Sequence, residues 1–158
     1  MSPDDVLSAL EPLRSGADVR DPAPGRVLIV DDDVATRLTL AAMLSPVGHR
    51  IIFASSAAEV RQRLPLINPD VIVCDLVMED MCGDEFFRWL KAHARWHVVP
   101  IVAITQLNNP LVRADLLDAG ADCVLCKPCD AHEFRAQVRA ALRIRRKLDE
   151  LFPAVRHE

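Results

Sequence analysis

The chain has 158 residues, 51% of them apolar, with 23 acidic and 19 basic side chains and a net charge of −4. That length suits one domain with a sizeable core, the modest acidity gives no basis for general nucleic-acid binding, and no apolar run is long enough to span a bilayer. Five cysteines, an odd number in a domain of this size, fit a reducing compartment better than a disulfide framework, and the first residues lack the basic start and apolar run of a secretory signal, so a cytoplasmic location is expected.

Residues 1–25 mix Pro3, Pro12, Pro22, Pro24, Gly16 and Gly25 with charge. They read as a leader with at most a short helix over 6–13. The domain proper is expected over 26–142, followed by a C-terminal helix extension and tail over 143–158. From Arg26 onward, apolar runs at 27–30, 51–54, 71–74, 101–104 and 123–126 each hold four residues, and together they are rich in Val and Ile. Continuous apolarity is what strands covered on both faces require.

Helix patterns fill the intervals. The first places Val34, Leu38, Ala42 and nearby Leu44 on a face and stops before Gly48. A second opens on the capping-box pair Ser56 and Glu59 and is expected to end near Leu64-Pro65. A third follows Gly83 and carries Phe86, Phe87, Trp89 and Leu90. A fourth starts at Asn109-Pro110 and stops at Gly120. A fifth and longest is capped by Asp130 with Glu133. Five strands alternating with five helices imply an α/β fold with a doubly wound, five-stranded parallel sheet and helices on both faces.

Ligands of such folds bind at the carboxyl ends of the strands, so the polar residues there are the ones to weigh. Strand one ends in Asp31, Asp32 and Asp33, strand three in Asp75, strand four in Thr105 and strand five in Lys127-Pro128. Carboxylates that close repel one another unless a cation or proton relieves them. An oxygen-only set suits a hard octahedral ion such as Mg²⁺. One carboxylate can then act as nucleophile while the ion, a lysine and a hydroxyl spread the charge of a phosphoryl group in transit.

The segments V-D-D-D, D-L-V-M, I-T and C-K-P, in this order at the ends of strands one, three, four and five, resemble the receiver domain of two-component response regulators, a flavodoxin-like fold. The resemblance implies that Asp75 is the phosphoacceptor, that Asp32 binds Mg²⁺ directly and Asp31 mainly through water, and that the backbone carbonyl of Val77 completes the protein ligands. It implies that Thr105 and Lys127 sense the phosphoryl oxygens and couple to the face of helix four, strand five and helix five. It also implies a histidine kinase or phosphotransfer protein as donor. Asp33 falls outside this set and reads as a solvated first-turn acid.

Several positions depart from the family pattern. Glu79 stands where a proline usually follows the methionine, which leaves the loop less constrained. Val124 occupies the switch position that often holds an aromatic ring, and the chain contains no tyrosine. Gln106 is bulkier than the small residue common after the threonine and narrows access to Asp75. Val77 and Leu107 flank the path of an attacking water and cannot orient it, so slow autodephosphorylation is expected.

Other features read more simply. Cys123, Cys126 and Cys129 form C-x2-C-x2-C, but two lie on a strand where free cysteines pack as small apolar groups, so no metal is expected there. His93 and His97 are four apart with Pro100 close behind, and the helix is expected to end between them. Arg143, Arg145, Arg146 and Lys147 read as a solvated helix face rather than a nucleic-acid patch, because Ile144, Leu148 and Leu151 add an apolar stripe suited to self-association or an output partner. Two other functions share part of this chemistry. A haloacid-dehalogenase-like phosphatase would use Asp31 as nucleophile, but expects Thr or Val at Ala35 and a later acid pair that I-V-A-I-T-Q-L does not provide. A receiver that works without phosphorylation is disfavoured by the complete set of Asp31, Asp32, Asp75, Thr105 and Lys127.

Overall fold

The structure is a computed structural model describing residues 2, 4, 5, 23–78 and 80–153. The leader helix expected over 6–13 and the tail over 154–158 lie outside the described residues. Five apolar runs become β1 (Arg26–Val30), β2 (Arg50–Ala54), β3 (Val71–Asp75), β4 (Ile101–Thr105) and β5 (Cys123–Cys126). They form one sheet in the order β2-β1-β3-β4-β5, every pair parallel. The helices between and after them are α1 (Val34–Leu44), α2 (Ala57–Ile67), α3 (Gly83–Ala92), α4 (Pro110–Ala119) and α5 (Ala131–Leu151).

Alternate residues along a strand point to opposite faces, so each central strand serves two cores. Leu28, Val30, Ile72, Cys74, Ile101 and Ala103 pack with Val60 and Leu64 of α2, Phe86, Phe87 and Leu90 of α3, and Leu116 of α4. Val27, Ile29, Val71, Val73, Val102 and Ile104 pack with Leu40 and Leu44 of α1 and Phe134, Val138 and Leu142 of α5. The sheet is thus covered on both faces, which explains its near-continuous apolar strands.

Three helices differ in detail from the sequence expectation. The stripe Val34, Leu38, Ala42 of α1 faces solvent, with Val34 and Leu38 each 58% exposed, while Leu40 and Leu44 turn to the sheet. The buried pair is also spaced i, i+4, so α1 carries two apolar stripes, and the one with two leucines is covered. Pro65 does not end α2, which runs on to Ile67 and stops at Asn68 in the left-handed conformation. The proline lies on the exposed side, where losing one amide hydrogen bond leaves no buried group unpaired. His93 caps α3, so both His93 and His97 lie beyond its last helical residue.

Helix α5 is continuous for 21 residues from its Asp130 cap. Its distal stripe is partly open, with Ile144 and Leu151 exposed and Leu148 half-buried. The basic cluster is not uniformly solvated. Arg145 is buried, its Nε 3.1 Å from Asp149 Oδ1, and Arg146 donates to the Ala23 carbonyl. Among the described residues no helix is long and apolar enough to cross a membrane.

Candidate functional site

Strand register assembles the site. Val30 pairs with Cys74, which sets Asp31 and Asp75 side by side at the ends of the two central strands. Asp75 pairs with Ile104 and Thr105 with Cys126, so Thr105 and then Lys127 stand one step further along the rim. Residues far apart in sequence therefore converge on one edge of the sheet.

Asp31 is buried at 2% exposure, and both its oxygens are engaged. Oδ1 accepts from the Asp33 amide at 2.9 Å and Oδ2 accepts from Lys127 Nζ at 3.0 Å. Lys127 also lies 3.3 Å from Asp75 Oδ2. Burial pushes the Asp75 carboxyl above its ordinary value, with Asp31 adding to the rise, while Lys127 and the Val77 amide oppose it. For Lys127, burial works against the ammonium, but its hydrogen bond to Asp31 and its attraction to Asp75 together outweigh that and hold its pKa high. Asp32 is exposed at the mouth.

One oxygen from each of Asp31, Asp32 and Asp75 lies within 4.8 Å of the others. This is a set of hard donors, partly desolvated and open to water on the Asp32 side. Such a set fits Mg²⁺, whose charge would relieve the Asp31 repulsion that adds to the effect of burial on Asp75. No other His, Cys, Asp or Glu group of this kind occurs among the described residues. Cys123 and Cys129 pack against the core shared with α1 and α5, whereas Cys126 Sγ reaches Asn108 Oδ1 at 3.6 Å, so these thiols do not converge. Burial pushes the Cys123 thiol up to about 11.

Thr105 is 1% exposed and its Oγ accepts from the Leu107 amide at 3.0 Å, leaving the hydroxyl proton to donate. Val77 and Leu107 are 65% and 51% exposed beside the rim, and Gln106 is exposed as well. Gln106 joins Lys127, Pro128 and Cys129 in lining a cleft of about 570 Å³ whose opposite wall is Ala35, Thr36, Thr39 and Met43 of α1. Val124 is half-buried against the core under α2, α3 and α4. Asp33 is the N-cap of α1, accepting from the Thr36 amide and hydroxyl, and those bonds lower its pKa.

Two contacts have no signal in the sequence. Arg37 Nη1 donates to the Asp31 carbonyl at 2.6 Å, fixing the backbone under the acid cluster. Asp80 accepts from the amides of Ala57 and Ala58, more than twenty positions away at the start of α2.

Residues 27–139 match the response regulator receiver domain family. The transcriptional regulatory protein GltR of Pseudomonas aeruginosa is 34% identical over 122 residues, covering 77% of this chain and 50% of that protein. The KDP operon transcriptional regulatory protein KdpE of Escherichia coli is 35% identical over 117 residues, covering 74% and 51%. The chain spans about half the length of these relatives. Among solved structures, the signal receiver domain of a signal transduction histidine kinase from Syntrophus aciditrophicus superimposes with a TM-score of 0.70 at 29% identity, covering 75% of this chain and 90% of that one. A response regulator receiver domain protein from Methanospirillum hungatei gives 0.69 at 25% identity, covering 78% and 98%. With this agreement in sequence, topology and the acidic rim, the chain belongs to the response regulator receiver domain family.

Proposed function

We propose that Asp75 is the residue of this receiver that takes the phosphoryl group, from a histidine kinase or a phosphotransfer protein. The observation that carries this is the contrast between the two central carboxylates. Asp31 has both oxygens occupied and a side chain 3% exposed, whereas the Asp75 side chain is 14% exposed, with Lys127 against one oxygen. In the transfer an Asp75 oxygen forms a bond to phosphorus as the donor's phosphorus–nitrogen bond breaks, and the imidazole leaves with the electron pair.

Asp31, Asp32, Asp75 and the Val77 carbonyl would hold Mg²⁺, which supplies charge neutralisation for the phosphoryl oxygens. Lys127 is placed to pair with one of those oxygens, and the Thr105 hydroxyl to donate to another. Val124 offers no ring to follow Thr105, so the signal would travel through the backbone link between Lys127 N–H and the Thr105 carbonyl, 2.8 Å long. The same Asp31 geometry disfavours it as a phosphatase nucleophile.

Beryllium fluoride, an acyl-phosphate mimic, tests the assignment. With Mg²⁺ it should raise the melting temperature of the native chain, because a ligand specific for the folded state stabilises it. Asp75→Asn should remove that rise. An unchanged rise in the Asn variant would put the phosphoacceptor elsewhere.

A further inference from the structure

The loop between β3 and α3 holds the residues next to Asp75 but has no proline after Met78. Its base is fastened by backbone contacts. Leu76 N–H donates to Ile104 at 3.1 Å, Gly83 N–H donates to Leu76 at 2.6 Å, and Val77 and Cys82 form an antiparallel bridge. Gly83 is required for this closure, since a Cβ there would lie 2.9 Å from the Leu76 backbone. Beyond the bridge, the tip is held from a different element. Asp80 Oδ2 accepts from Ala58 N–H at 2.9 Å and Oδ1 from Ala57 N–H at 3.3 Å, both in the first turn of α2. Ser56 Oγ takes the next amide, that of Glu59, at 3.1 Å. The start of α2 is thus capped by two side chains, one local and one from the phosphoacceptor loop.

We propose that Asp80 is a positioning residue for the phosphorylation site: its grip on α2 fixes the loop that presents Val77 beside Asp75. The proposal deepens the phosphoacceptor reading and rests on it. The chain of contact is short. Val77 lies just after Asp75, at the bridge to Cys82, and its carbonyl is the backbone ligand proposed above for Mg²⁺. A carboxylate at a helix N-terminus is favoured by both the free amides and the helix dipole. Here that attraction acts between elements and does the bracing that a proline ring would otherwise supply.

Ser56 provides the control, because it caps the same helix from its own end through the Glu59 amide. Asp80→Ala and Ser56→Ala both remove a cap of α2, and each should lower stability through helix fraying. They separate in two other readouts. Mg²⁺ titrated alone by calorimetry should bind Asp80→Ala roughly ten-fold more weakly, the scale of effect seen when groups that orient a metal ligand are lost, and should bind Ser56→Ala as it binds the native chain. In metal-free protein, amide hydrogen exchange at Gly83, whose N–H closes the loop onto Leu76, should speed up in Asp80→Ala and not in Ser56→Ala. Asp80→Asn keeps one acceptor oxygen and should fall between, and it carries the comparison if the alanine variant does not fold. Equal effects of the two caps on both readouts would overturn the positioning role. If the native chain binds no Mg²⁺, the metal reading fails, and the Gly83 exchange comparison alone then upholds or overturns the brace.

Discussion

Lys127→Met removes the single ammonium shared by Asp31 and Asp75 while keeping most of the apolar stem. The charge lies 3.0 Å from Asp31 and 3.3 Å from Asp75, and the three side chains are 17%, 3% and 14% exposed. Without it, two carboxylates whose oxygens lie within 4.8 Å are left facing each other, a repulsion of about 3.5 kcal/mol at an effective dielectric of about 20. Deleting one partner of a buried ion pair generally costs about 3–5 kcal/mol. Partial exposure favours the lower end, so a loss of about 3 kcal/mol is expected at pH 7 without metal, or a fall in Tm of roughly 10 °C for a domain of this size. The Lys127 pKa is raised in the folded state, so its contribution is fully present below the unfolded lysine value and is lost only as pH climbs through the folded value; it is intact at neutral pH. The Asp75 pKa is also raised, so its ionisation opposes folding at pH 7. The deficit of the variant should therefore shrink as pH falls through the folded Asp75 value toward the unfolded one. Saturating Mg²⁺, if held by these carboxylates as proposed, would supply the missing positive charge and should stabilise the variant more than the native chain. Urea melts with and without Mg²⁺ measure both effects. A metal-free deficit under about 0.5 kcal/mol, well short of what these contacts demand, or a deficit untouched by Mg²⁺, would refute the reasoning.

Val77→Asn with Leu107→Glu should shorten the life of the phosphorylated protein several-fold, since each hydrogen bond gained by the attacking water is worth about 1 kcal/mol. Loss of phosphate from the purified phosphoprotein in Mg²⁺ measures this, and equal rates would remove the apolar-gate account. The exposed stripe on α5 is expected to self-associate, and sedimentation equilibrium of the native chain beside Ile144→Glu with Leu151→Glu checks it; two equally monomeric species would dismiss that role.

The strands and the acid rim could be read from the sequence because each rests on a local signal. Runs such as V-L-I-V and V-I-V-C are apolar on both faces, which a buried parallel strand needs and few other elements do. Asp75 and Thr105 close β3 and β4 while Asp31 and Lys127 follow directly on β1 and β5, so placing the strands places them. The face of α1 was not readable in this way. Val34, Leu38, Ala42 and Leu40, Leu44 both recur at helical spacing, and which stripe meets the sheet depends on how the loop at Asp33 aims the helix. The end of α2 was misjudged at Pro65, since only tertiary placement shows that the proline sits on the solvent side. Asp80 and Arg37 lay beyond reach for a different reason. Their partners are a pair of helix amides and a carbonyl, groups every residue carries, so no side-chain pattern marks the pairing.

Lys127 and Asp31 are 96 residues apart in the chain. The two acids belong to neighbouring strands β1 and β3, whereas the lysine follows the edge strand β5. A nascent or partly assembled sheet that has joined β1 to β3 but lacks β5 gathers these acids without their ammonium. Completion of the sheet and neutralisation of the rim are then one event, which penalises half-formed sheets and rewards the full one. A repulsion relieved only when the last strand joins makes assembly more all-or-none. A divalent cation held by the same acids would then stand in for the lysine while the last strand is still finding its place.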